Sequence, residues 1–195
     1  MGANDSWTKR IAPVRPAPHT RATLDAEAAV QRFGEHGGEG VVLRFAFFYG
    51  ADSGYTRDMV KYARRGLAAS LGSPDDYVSS ISHDDAASAV LAALELPAGT
   101  YNVADEEPVT RRAFFDALAE AFGFRPPRFA PAWVTKLSGS VGDTLARSQR
   151  ISSRKLRQAS HWRPAIPTVR EGWRFVAAEL RAAAPRPPST RTSSP

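Results

Sequence analysis

The chain has 195 residues, 43% of them hydrophobic and 24% charged, the composition of a folded globular domain with its own core. It has no cysteine, which excludes disulfides and thiolate chemistry, and no apolar run approaches the ~18 residues needed to cross a bilayer. A net charge of +6 raises nucleic acid as a partner, yet the arginines are spread over every segment with no recognition motif beside them, so nucleic-acid binding is not expected.

Met1 to Pro18 is polar, contains Pro13, Pro16 and Pro18, and reads as an extended or disordered lead-in. It has no apolar stretch of the signal-peptide kind, so the expected location is the cytoplasm. Residues 19–183 read as the folded domain. Thr23 to Phe33 has helical periodicity, with Leu24, Ala28, Val30 and Phe33 on one stripe. Gly34, Gly37 and Gly40 then spell G-x-x-G-x-x-G, but a helix enters this loop and a strand leaves it, the reverse of a phosphate-cradling turn. It is therefore read as a flexible helix-to-strand loop. Val41 to Phe48 is a strand with apolar residues on both faces, which calls for helices above and below and neighbours on both edges.

Thr56 to Arg65 is a second helix, with Met59, Val60 and Ala63 inward. Tyr77 to Ile81 reads as a strand. Ser82 or Asp84 is the expected N-cap of a helix over Asp85 to Leu96, and His83-Asp84-Asp85 is read as a helix start rather than a metal site. Thr100 to Val103 is a short strand, and Asp105-Glu106-Glu107 reads as a solvated acidic turn. Thr110 caps a helix over Arg111 to Phe122, stopped by Gly123. Residues 132–146 have a broken helical pattern. Ser152 to Ala159 is a short helix, Trp162 a buried indole, and Thr168 caps a last helix with Val169, Trp173 and Val176 on one face. Residues 184–195 are rich in Pro, Ser and Thr and are expected to be disordered. Strands alternating with helices give an α/β fold with parallel pairing.

Several stretches taken together resemble the extended short-chain dehydrogenase/reductases, the NAD-dependent epimerase/dehydratase family. Leu43-Arg44 through Tyr49-Gly50 is similar to its L-R-x-x-x-x-Y-G strand end. Asp85 to Ala89 is similar to its D-V-A-x-A helix, and Gly99-Thr100-Tyr101-Asn102-Val103 to its G-x-Y-N-V strand. Lys155-Leu156, Trp162-x-Pro164 and Glu171-Gly172 are similar to its C-terminal end. The resemblance implies part of a Rossmann-like doubly wound parallel sheet with a small α-rich C-terminal substrate lobe.

It implies NAD(P) as cofactor and a sugar nucleotide or a small carbonyl or alcohol as substrate. Phe45 and Phe47 would lie on the cofactor side of the crevice, and Phe48 and Tyr49 would line the substrate pocket. The family's catalytic Tyr-x-x-x-Lys falls at His19 and Thr23, so His19 is the candidate proton carrier and no cation replaces the Lys. The family's glycine-rich dinucleotide loop has no counterpart. The expectation is a truncated, cytoplasmic oxidoreductase-like chain that is inactive alone. The alternative is a non-catalytic interaction module that self-associates or pairs with another chain through an exposed sheet edge.

Overall fold

The computed structural model describes residues 21–68, 72–131 and 146–183. His19, the lead-in, the broken pattern at 132–145 and the tail from 184 lie outside the described residues.

The strand expected over Val41 to Phe48 forms in two pieces, β1 (Val41–Phe45) and β2 (Phe47–Tyr49), with Ala46 between them. The ladder changes partner there. β1 runs parallel to β5 (Gly99–Val103), and β2 runs parallel to β4 (Ser80–Ser82). Ala46 N–H still donates to the Val103 carbonyl, whereas Phe47 N–H donates to Ser79. Asp105 N–H in turn donates to the Ser80 carbonyl, so β4 also pairs with the chain just past β5. The parallel strands fork at this point. β3 (Tyr77–Val78), the start of the strand expected over Tyr77 to Ile81, pairs antiparallel with β6 (Val109–Thr110), which has no signature in the sequence.

The helices start where their caps place them. Ser53 accepts from Thr56 N–H at the head of α2 (Gly54–Arg64), Ser82 from Asp85 N–H at α3 (His83–Ala93), and Thr168 from Glu171 N–H at the last helix. Thr110 caps α4 (Arg111–Phe122), and Gly123 ends it in the left-handed conformation at φ 71°. Replacing Thr110 by Ala is expected to lower stability by about 1 kcal/mol, read as a shifted denaturation midpoint at unchanged slope. Two further helices, α5 (Arg154–Ala159) and α6 (Val169–Ala182), complete the described chain.

Two cores result. One joins α2, α4 and α6 around Trp173, Phe114, Phe115 and Leu118, with Tyr49 entering from β2. The other lies between β4, β5, α3 and α5, around Ile81, Val103, Leu156 and Trp162. The first helix, α1 (Arg21–Glu35), departs from its expected role. Leu24, Ala28 and Phe33 are exposed, with Phe33 at 59%, and only Val30 of the stripe is half-buried. A bidentate pair from Arg44 to Glu27 links α1 to β1, at 2.8 and 2.5 Å. β1 corrects a second expectation. All five of its residues are only half-buried, and β5 is its only strand partner among the described residues.

Candidate functional site

The carboxyl ends of parallel strands are where open α/β sheets bind ligands. Here those ends are Tyr49-Gly50 after β2 and Ser82-His83 after β4. A cleft of about 240 Å³ opens beside them, lined among others by Gly50, Asp52, His83, Asp84, Phe175 and Glu179. α6 supplies its far wall.

His83 is the first residue of α3, fixed by the Ser82 cap. Its Nδ1 lies 2.7 Å from Asp52 Oδ1, on the turn between β2 and α2. That hydrogen bond holds the Asp52 carboxyl below its ordinary range. The turn is held by Ser53 N–H donating to the Gly50 carbonyl and Gly50 N–H donating to Thr56 Oγ1. A Cβ on Gly50 would stand 2.7 Å from Asp52 Oδ1 and 2.8 Å from His83 Nδ1, so a larger residue there would displace the pair.

The aromatic residues expected at the crevice separate. Phe48 is 42% exposed and lies beside the His83 ring at 6.0 Å and the Phe45 ring at 5.2 Å. Phe47 turns toward the helical lobe, packing edge-on against Phe114 and Tyr55. Tyr49 is fully buried, its ring 5.5 Å from Trp173, and its Oη rests against Gly172 with no hydrogen-bond partner. Burial, and then the carboxylates of Asp105, Asp85 and Glu171, push the Tyr49 phenol up. It stays protonated at neutral pH and is poorly suited to exchange protons with a ligand. Thr23 lies on α1, in an exposed turn.

Asp105 departs from the solvated acidic turn expected of it. It is 2% exposed at the fork between β4 and β5, where Ser80 Oγ donates to its Oδ2 at 2.7 Å and Oδ1 has no partner. Burial raises its pKa to about 7, against the lowering effect of the Ser80 hydrogen bond and the Glu107 backbone. Its neighbour Glu106 pairs with Arg157. Asp85 is structural: Ser82 Oγ and the Ala165 and Ile166 amides donate to its carboxylate, fastening the turn before α6.

The chemistry that would hold a dinucleotide is a separate matter. The strand-to-helix turn from Gly50 to Gly54 has two glycines, but its middle carries the Asp52 carboxylate, which repels phosphate. No group of three or more His, Asp or Glu residues among those described could hold a metal ion. None of the described helices is long and apolar enough to cross a membrane.

No family model matches the sequence. The chain is 34% identical over 164 residues to a 3-diazoavenalumate denitrifying reductase of a Streptomyces species, a match covering 80% of this chain and 54% of that protein. Among solved structures, the UDP-glucose 4-epimerase of Thermus thermophilus in complex with NAD is similar, with a TM-score of 0.67 and 28% identity. That likeness covers 93% of this chain and 58% of that one. The human epimerase family protein SDR39U1 with NADPH has a TM-score of 0.65 at 22% identity, covering 72% and 48% respectively. The chain spans about half the length of the relatives it matches.

Proposed function

The chain shares the α/β fold of the extended short-chain dehydrogenase/reductases of the NAD-dependent epimerase/dehydratase family, and from this premise we propose that it forms the substrate-facing part of an NAD(P)-dependent reductase. The observation that carries the reading is the cleft at the carboxyl ends of β2 and β4. The reductase relative supports reduction as the chemistry. Asp52, Asp84 and Glu179 in the lining disfavour an anionic sugar nucleotide and favour a small uncharged carbonyl or alcohol. The described residues build no seat for a pyrophosphate, so under this reading the dinucleotide is assigned to residues other than those described.

Complementation tests this. The chain would be mixed with the separately produced part of the Streptomyces reductase that it does not match, NADPH and a panel of small aldehydes and ketones. NADPH oxidation is expected in the mixture and with neither half alone. Oxidation by this chain alone would defeat the division of labour.

A second reading is favoured by one specific observation. β1 presents half-buried residues and has β5 as its sole described strand partner, while Val90, Leu91 and Leu94 are exposed on and just after α3. An open edge and an apolar helix face of this kind suit an interaction module. It predicts a dimer in size-exclusion chromatography, and a monomer at high concentration contradicts it.

A further inference from the structure

We propose that His83 and Asp52 form a proton-transfer pair for a small alcohol or carbonyl held in the cleft at the carboxyl ends of β2 and β4. The inference deepens the reductase reading and rests on it for the identity of the hydride donor.

The geometry assigns each group a task. Asp52 Oδ1 accepts from His83 Nδ1–H at 2.7 Å, which fixes the neutral ring as the Nδ1–H tautomer. Nε2 is left with its lone pair, and the ring lines the cleft. Asp52 is thus a positioning residue and His83 the group that meets the ligand. The pair is not explained by stability. Its side chains are 34% and 79% exposed, and ion pairs so open to water contribute little. It is nevertheless built closely, by the cap that starts α3, by the β2–α2 turn, and by a glycine whose Cβ would strike both partners. Phe175 supplies an apolar wall of the cleft, and Phe48 packs beside the imidazole. A proton carrier fixed through one nitrogen and open at the other is the arrangement that general acid–base catalysis uses.

In the reducing direction, a nicotinamide cofactor held by residues other than those described would supply hydride to the carbonyl carbon. The C=O π pair moves to oxygen, and the imidazolium Nε2–H gives that oxygen its proton. The ring is left neutral, with Nδ1–H still on Asp52, and is reprotonated from water. Oxidation of the alcohol reverses each movement.

The pair is tested on the full chain without cofactor. Imidazole nitrogen shifts at pH 8 are expected to show the Nδ1–H tautomer at His83 in the wild type and the Nε2–H tautomer in Asp52→Ala. Carbethoxylation followed by mass spectrometry is expected to modify His83 faster than His36 or His161, about tenfold faster than in Asp52→Ala, as for a base-assisted nucleophile. Benzyl alcohol, the probe, should slow modification at His83 alone. Equal rates at His83 and His161, an unchanged tautomer in Asp52→Ala, or no protection by benzyl alcohol would each overturn the proposal. None of these readouts involves NAD(P)H, so failure of the reductase reading is seen separately, in the complementation experiment.

Discussion

Trp173→Ala is expected to lower the unfolding free energy by about 3–5 kcal/mol, the range for truncating a buried tryptophan. Trp173 is fully buried in α6 and sits at the centre of the helical lobe. Its ring lies 5.3 Å from Phe114 and 6.5 Å from Phe122 on α4, and 5.5 Å from Tyr49 at the end of β2. The indole therefore joins the lobe to the strand that carries the cleft. Its loss leaves a cavity facing three aromatic rings, none of which fills it without leaving its own partners. Chemical denaturation is expected to show a lower midpoint, and near-ultraviolet circular dichroism a loss of aromatic signal. Trp173→Phe retains most of the apolar area and is expected to cost markedly less. Equal stability of Trp173→Ala and wild type would show that the lobe is not organised around this residue.

The second large effect concerns pH. Asp105 has an ordinary value of 3.8 and a folded value of about 7, because burial penalises its charged form. A raised folded value means that the folded state holds a proton which the unfolded state has lost. The contribution is fully present below about pH 4 and is lost as pH rises through about 7. At 1.36 kcal/mol per unit, the swing is on the order of 4 kcal/mol as an upper figure. Asp105→Asn keeps the shape and the acceptor for Ser80 Oγ but carries no charge. It is expected to be more stable than wild type at pH 8, by up to a few kcal/mol, and to approach wild type at pH 5. Denaturation midpoints measured at both pH values check this. A wild type more stable at pH 8 than at pH 5, with Asp105→Asn the weaker protein at pH 8, would contradict it.

Local rules made much of the fold legible in the sequence. Thr110 and Gly123 bracket α4 because a hydroxyl acceptor and a left-handed glycine are chemically specific end signals. The Val169, Trp173 and Val176 stripe became the buried face of α6 for the reason that helical periodicity works at all. The α/β class and the parallel pairing followed from the alternation of strands and helices. What sequence spacing could not show was long-range. Nothing near Ala46 announces that the ladder passes from β5 to β4, since the cause is the separation of two other strands. Asp105 sits in an acidic run that looks solvated, and only the fork buries it.

The candidate site was legible to the level of the strand end. Tyr49-Gly50 marked where β2 stops and a cleft opens; Tyr49 and Gly50 line that cleft, and Phe48 lies beside the His83 ring without lining it. The aromatic cluster divides because successive residues of β2 point to opposite faces, Phe47 toward α4 and Phe48 toward His83. In the sequence, His83 reads only as part of a helix start. Its partner Asp52 lies 31 positions earlier, and no motif spacing connects them. The one signal for the pair is that both residues lie within three positions of the carboxyl ends of paired parallel strands.

The most direct test of the central claim, that these residues face the substrate and leave the dinucleotide to another unit, is a fluorescence titration of NADPH and NADH with the purified 195-residue chain. The account predicts no saturable binding into the millimolar range. Saturable binding at micromolar concentration would contradict it.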